Sequence, residues 1–124
     1  MEKGEQNERR TTVRSNSGKI FLLEAFFYSN GCFLAISEEG HRRLGAVSVA
    51  ISSQNNVNAA KVIPSKHDPV FVSTVSEKVA SMTNGICILS FHAKEQLSLD
   101  DMKAIMGEVM QVVASGKDRR EDVR

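Results

Sequence analysis

Cysteine and histidine are the residues of this chain whose side chains most readily perform catalysis or bind a metal. Cys32 and Cys87 each lie within an apolar stretch, where a thiol behaves as a small buried side chain and nothing nearby activates it. His41, His67 and His92 are far apart in the sequence, and none has a histidine or cysteine at metal-ligand spacing. The sequence therefore predicts two buried thiols, no catalytic residue, no cofactor and no metal site.

The sequence contains neither a phosphate-binding loop nor a convincing pair of catalytic carboxylates. Its 8 glycines are never grouped as a nucleotide-binding loop requires. Glu38-Glu39 fits a hairpin turn, and Asp100-Asp101 fits the first turn of a helix, where the helix dipole favours negative charge. We therefore predict that the protein is not an enzyme, and we keep a small-molecule-binding or thiol-dependent enzyme as one alternative.

Composition and charge are those of one globular domain without an obvious electrostatic partner. The 124 residues are 41% hydrophobic and 25% charged, and the formal net charge is +1. A nucleic-acid-binding domain needs clustered Lys and Arg, so no nucleic-acid partner is predicted. No apolar run is long enough to span a membrane, and residues 1–10 do not resemble a signal peptide. We expect a cytoplasmic protein with no membrane partner.

Two short segments that contain basic residues are the candidates for binding a protein partner. One follows a predicted hairpin turn and the other precedes the first predicted helix; together they comprise His41, Arg42, Arg43, Ser65, Lys66 and His67. Such segments are usually solvated turns. Because no aromatic residues are interleaved with the basic ones, the functional alternative is a docking patch for an acidic protein surface rather than a nucleic-acid site.

Strands are predicted for most of the first half of the chain. Apolar runs bounded by turn residues place them at residues 19–28, 32–37, 43–51 and 59–63. A long, mobile loop is expected at residues 52–58. Because short turns join the first strands, the pattern predicts a meander of antiparallel hairpins.

A first helix and a further strand are predicted after residue 67. Asp68 can cap the helix, Pro69 suits its first position, and Asn84-Gly85 can end it. Its apolar stripe consists of Val72, Val75, Val79 and Met82. The apolar residues 85–92 then predict a short buried strand.

The second helix is predicted to start at Ser98. Ser98 and Asp101 can form a capping box, and Gly116 is a suitable terminator. The apolar stripe of this helix consists of Leu99, Met102, Ile105, Met106, Val109 and Val113.

The predicted fold is α+β: a single twisted antiparallel sheet of five to six strands with two helices packed on one face. Residues 1–14 and 116–124 are rich in charge and expected to be flexible, which leaves one domain at residues 15–115. Both faces of the predicted strands are apolar, unlike a sheet with one solvated face. Two helices can cover one face, and a soluble monomer rarely exposes an apolar surface as large as the other. We therefore predict a partner chain on the second face; the alternative is a sheet that closes on itself.

A hydrophobic hairpin with a glycine in its turn is followed along the chain by a loop, a helix, a strand and a second helix. The segments are 31–40 (GCFLAISEEG), 44–49 (LGAVSV), 62–69, 70–83, 85–93 and 98–113. This layout resembles the small proteasome assembly chaperones, most closely the third of the eukaryotic set and then the related fourth. The family's loop before the first helix often reads Leu-Leu-Gly, whereas here residues 63–67 read IPSKH, so the candidate site rests on exposure and charge rather than on a matched motif.

The resemblance implies a non-enzymatic protein with a compact sheet and two helices. Proteins of this family form homodimers, or heterodimers with a related chaperone chain. The dimer binds an α-type subunit of the 20S proteasome and promotes assembly of the α-ring. A dimeric scaffold or adaptor of another protein complex is the other alternative.

Overall fold

The computed structural model describes residues 7–54 and 56–123, with side chains described as far as Gly116. Within these residues the chain forms one sheet of six strands and two helices. In chain order the elements are β1 (Glu8–Arg14), β2 (Ile20–Tyr28), β3 (Gly31–Glu38), β4 (Ala46–Ser53), β5 (Asn56–Ile63), α1 (Pro69–Thr83), β6 (Ile86–His92) and α2 (Leu99–Val123). The predicted α+β class is confirmed.

The strands lie in the order β1-β2-β3-β6-β4-β5. Neighbouring strands are antiparallel except β3 and β6, which run parallel. The predicted meander is therefore wrong at one point, because β6 lies between β3 and β4, and α1 connects β5 to β6 across β4. The composition of β6 gives the physical reason: it is apolar on both faces, and a central position removes its backbone groups and much of its apolar surface from water.

β1 is a strand that the hydrophobic pattern does not predict. It pairs with β2 along its whole length, from Glu8 opposite Phe26 to Arg14 opposite Ile20. Val13 is its buried residue, and its charged residues are typical of an exposed edge strand. The expectation of a flexible segment at 1–14 is thus corrected for residues 8–14, which belong to the sheet. Residues 1–6 lie outside the described residues.

The loop expected at residues 52–58 is mostly strand. β4 continues to Ser53 and β5 begins at Asn56, and these two residues pair directly. Gln54 has a positive φ of 51°, which reverses the chain, and residue 55 lies outside the described residues. Polar residues occupy these strand ends because backbone hydrogen bonds between β4 and β5, rather than burial of side chains, stabilise the strand ends.

α1 follows its predicted stripe, since Val72, Val75 and Val79 are all buried. Asn84 ends the helix in the left-handed conformation, and the backbone N–H of the next residue, Gly85, donates to the carbonyl of Ala80 at 3.1 Å. These contacts confirm the predicted helix end.

The prediction that the Asp68 side chain caps α1 is wrong. Asp68 precedes the helix, but its Oδ2 accepts a hydrogen bond from the backbone N–H of Leu97 at 3.1 Å. The carboxylate therefore connects the start of α1 to the loop before α2.

α2 begins with the predicted capping box. The Ser98 backbone N–H donates to Oδ2 of Asp101 at 2.9 Å, and the Asp101 backbone N–H donates to Oγ of Ser98 at 3.1 Å. Ile105, Val109 and Val113 are buried as predicted. Leu99 is 67% exposed and does not belong to the buried face.

Gly116 lies inside α2, so the prediction that it terminates the helix is wrong. A Cβ atom at this position would overlap Cζ of Phe27, a buried ring of β2. The glycine therefore lets the helix approach the sheet. The segment expected to be a flexible tail continues as helix through Val123, and residue 124 lies outside the described residues.

Both helices pack on the same face of the sheet, as predicted. α1 contacts β4, β6, β5 and β3, whereas α2 contacts β1 and β2. The strand residues in the core share one parity along their strands: Phe21, Leu23, Ala25, Phe27, Cys32, Leu34, Ile36, Ala50, Cys87, Leu89 and Phe91. The intervening residues lie on the opposite face, which carries the first candidate surface.

Candidate functional site

The sheet face opposite the helices, here called the open face, has an apolar row across its four central strands. Phe26 of β2 lies opposite Phe33 of β3, which lies opposite Ile88 of β6, which lies opposite Val49 of β4. The rings of Phe26 and Phe33 stack with centroids 5.9 Å apart at 22°. The row results directly from the period of two in extended chain, because the alternate residues form the core.

A second apolar row lies next to the first. Ile86 of β6 is opposite Ile51 of β4 and opposite Gly31 of β3. Ile51 and Ile88 are 50% and 42% exposed, which is unusual for large aliphatic side chains on central strands of a sheet. Within the described residues neither helix packs on this face. The two rows form a continuous apolar surface of the kind that marks a protein-interaction site.

A buried carboxylate marks one border of the open face. Glu24 is 5% exposed, and its Oε2 lies 3.0 Å from Nε of Arg10. Arg42 binds the same carboxylate in bidentate fashion, with Nε donating to Oε1 at 3.3 Å and Nη2 donating to Oε2 at 2.9 Å. This hydrogen bonding and the charge of Glu24 raise the pKa of Arg42. The charge of Arg42 is therefore already satisfied by an internal partner.

A second candidate surface, here called the basic cleft, lies where three connecting segments meet. These segments are residues 43–46 at the start of β4, residues 64–68 before α1, and residues 91–94 at the end of β6; they enclose about 350 Å³. Four of the six residues predicted from the sequence line it: Arg43, Ser65, Lys66 and His67. Of the other two, Arg42 contacts Glu24 and His41 stacks on His92 with ring centroids 5.9 Å apart.

His92 and Lys94 also line the basic cleft, and sequence reasoning does not assign them to it. They lie about 50 residues after Arg43 in the sequence, and their proximity depends on β6 pairing with β4. The polar residues at the end of the apolar strand β6 are the signal that could have found them, because the ends of adjacent strands meet at one edge of the sheet.

The cleft carries more positive than negative charge. Its lining includes Asp68, whose Oδ2 accepts the Leu97 backbone N–H. Glu38 lies nearby, and its Oε1 accepts the backbone N–H of Lys94 at 2.9 Å. In the described part of the chain, the side chains of Arg43, Lys66 and Lys94 form no ion pair. Both carboxylates thus already accept backbone hydrogen bonds, while the cations face the cleft and solvent.

His92 has an unusual environment. Its Nε2 is buried and has no hydrogen-bond partner among the described residues. Burial lowers its pKa, and the positive charges of Arg43, His41 and Lys94 lower it further, against the opposing effect of Glu38. His92 is therefore neutral at neutral pH and can gain a proton if negative charge enters its surroundings.

The two cysteines lie opposite each other on the central strands β3 and β6, and both are buried. Burial raises the pKa of the Cys87 thiol strongly, and the adjacent Cys32 raises it further. A thiol with a raised pKa is a poor nucleophile at neutral pH, which argues against the thiol-dependent alternative.

The side chains that the structure describes include no group of three or more His, Cys, Asp or Glu residues that could hold a metal ion. Neither described helix combines the length and apolar character that crossing a bilayer requires.

Comparison with known proteins supports the class of fold defined above. No family model matches this sequence, and no curated protein does. Nine chains of solved structures match its fold. One is a chain from the crystal structure of a novel chaperone complex for yeast 20S proteasome assembly, with a TM-score of 0.54 over 94% of this chain and 97% of that chain. The two are 11% identical, so the likeness is one of fold.

Proposed function

We propose that this protein is a non-enzymatic assembly chaperone that acts as a dimer, binds an α-type subunit of the 20S proteasome and promotes α-ring assembly in the cytoplasm. The open face is the observation that carries the proposal, because it is a preformed apolar surface of the kind that protein partners cover. The fold likeness to a chain of a chaperone complex for yeast 20S proteasome assembly supports the choice of partner.

The dimer would form through the open face. Apolar burial contributes about 25 cal/mol per Å², so burying ~500 Å² would contribute ~12 kcal/mol before the costs of association. Phe33 and Ile88 lie near the centre of this surface and Ile51 near its margin, which suits a packed centre with a more polar rim. The second chain is either an identical copy or a related chaperone chain.

The α-type subunit would bind the folded surface outside the open face. The candidate residues are His41, Arg42, Arg43, Ser65, Lys66 and His67. Four of them converge on the basic cleft, which supports a single contact region. Because Arg42 already pairs with Glu24, we expect Arg43 and Lys66 to contribute more to partner binding than Arg42 does.

Light scattering of the purified chain tests the dimer. We expect a dimer for the unmodified protein and a folded monomer for Ile88→Glu, since a carboxylate would be buried in the interface without a partner. Val70→Glu is the matched control, because Val70 is 75% exposed on α1, away from the open face. A dimer that survives Ile88→Glu would contradict the use of the open face.

A pull-down with identification of the captured proteins tests the α-type subunit. Proteasome α-type subunits are expected as the main captured proteins. The double variant Arg43→Glu, Lys66→Glu should lose them, whereas Lys78→Glu, Lys103→Glu, on exposed positions of α1 and α2, should retain them. Capture of a different complex would support the alternative of a scaffold for that complex.

A further inference from the structure

We infer that the basic cleft binds carboxylate side chains of an acidic peptide segment that also carries apolar residues. This inference deepens the proposed function and rests on it in one respect, since the segment is expected on the protein that the chaperone holds. The chemistry of the cleft itself can be tested without any proteasome subunit.

Three basic side chains line the cleft. Arg43, Lys66 and Lys94 enter the cleft from three different connecting segments, and none of them has an ion-pair partner among the described side chains. Asp68 and Glu38, the nearby acids, already accept backbone hydrogen bonds. Three cations against these two carboxylates leave the cleft with a net positive charge, so an added carboxylate would gain favourable Coulomb energy from several cations at once.

The environment of His92 also favours a bound carboxylate. His92 lines the cleft, and its buried Nε2 has no hydrogen-bond partner in the described structure. The His92 ring lies at the wall of the cleft, so a carboxylate bound there would act on it through space. The groups that act on His92 are His41, Arg43 and Lys94, which disfavour its protonation, and Glu38, which favours it. A bound carboxylate would act in the same direction as Glu38.

The apolar part of the lining selects a peptide over a bare anion. Between the basic residues the cleft is lined by Leu44, Ala46, Pro64, Phe91 and Ala93. Its volume of about 350 Å³ is at the lower end of the range of about 300–1,000 Å³ for ligand sites. It suits a few side chains of a bound segment. Inorganic phosphate has no apolar group to place against this surface.

Binding of a short labelled peptide of alternating leucine and glutamate, followed by fluorescence anisotropy, tests the inference. We expect the matched leucine–glutamine peptide to bind at least ~10-fold more weakly, and the affinity of the acidic peptide to fall as salt increases. The double variant Arg43→Glu, Lys66→Glu should lose binding. Lys78→Glu, Lys103→Glu should retain it, and the single variant Lys66→Gln should weaken it if the double variant does not fold.

Titration of His92 by NMR gives a second readout that a merely structural role would not change. The pKa of His92 should rise when the acidic peptide is bound and stay unchanged when inorganic phosphate is added at equal concentration. Equal binding of the two peptides, or binding of phosphate with no preference for the acidic peptide, would overturn the inference. These outcomes are independent of the pull-down, since a proteasome subunit could be captured through another surface while the peptide fails to bind.

Discussion

The two faces of the sheet are built from alternate residues of the same strands, yet they have opposite environments. In β6, Leu89 is fully buried beneath the helices, whereas its neighbour Ile88 is 42% exposed on the open face. In β3, Leu34 and Phe33 differ in the same way. Both faces are apolar, so the difference arises from the layer above them and not from the strands. The described helices cover one of these two apolar faces and leave the other open.

The largest effect is expected from a cavity on the covered face, which is the face of the sheet beneath the helices. Leu89→Ala should lower the free energy of unfolding by about 3 kcal/mol, because a fully buried leucine is removed from close packing. Ile88→Ala, one residue earlier, should cost less than about 1 kcal/mol when measured on the monomeric protein. Urea unfolding of the two variants measures both changes in the free energy of unfolding. Equal losses in the monomer would mean that the open face is covered by the chain itself.

Asp101 extends the comparison to the helix layer, because it is an acidic residue fully buried in the first turn of α2. Burial alone would raise its pKa, but hydrogen bonds from Ser15, Ser17 and Ser98 outweigh burial and lower the pKa to about 2. A carboxylate whose pKa is lower in the folded state stabilises the fold at pH values above its unfolded pKa, and this contribution disappears as the pH falls to about 2.

Asp101→Asn should therefore lower the free energy of unfolding by about 2 kcal/mol at neutral pH. It should also reduce the loss of stability between about pH 4 and pH 2. Asp100→Asn is the control, because Asp100 is exposed in the same helical turn. Unfolding followed at several pH values provides the data. If the acid sensitivity is the same in both variants, Asp101 is not the group responsible.

Gly116 tests how closely α2 packs on the covered face. Gly116→Ala should lower stability by about 1 kcal/mol or more, since the new Cβ would overlap the buried ring of Phe27. Gly107→Ala in the same helix should raise stability by up to about 1 kcal/mol, because a Cβ there meets no atom within 4 Å and alanine favours helix. Thermal unfolding gives the sign of each change. Stabilisation by both substitutions would contradict the close contact with Phe27.

The smallest effect is expected from His92 at the edge of the sheet. Because its pKa is lowered in the folded state, the folded protein resists protonation, so stability should fall slightly as the pH drops below the ordinary histidine value of about 6.5. His92→Asn should flatten this part of the pH profile. A profile unchanged by the substitution would show that His92 titrates alike in the folded and unfolded chains.

The helices could be predicted from the sequence because their signals are local. The spacing of Val72, Val75 and Val79 places them on one helical face, and the capping box of Ser98 with Asp101 involves residues three positions apart. β1 could not be predicted in this way, since most of its residues are polar and its stability depends on pairing with β2.

The basic cleft could be predicted in part. Arg43 and Lys66 are conspicuous in the sequence because they lie beside turn and helix-start signals. Their proximity to His92 and Lys94 is not visible in the sequence, because it requires β6 to lie beside β4 and the segment before α1 to meet the end of β6. No spacing rule connects residues that far apart.

The sequence by itself determined that the central strands are apolar on both faces and that two amphipathic helices can cover one of them. These properties follow from the local periods of strand and helix, which fix which side chains share a face. Only the tertiary structure decided that β6 lies between β3 and β4, that Gly116 contacts Phe27, and that Arg43, Lys66 and Lys94 share a cleft. Those arrangements depend on contacts between distant segments, whose free energies are set by the packing of the whole domain.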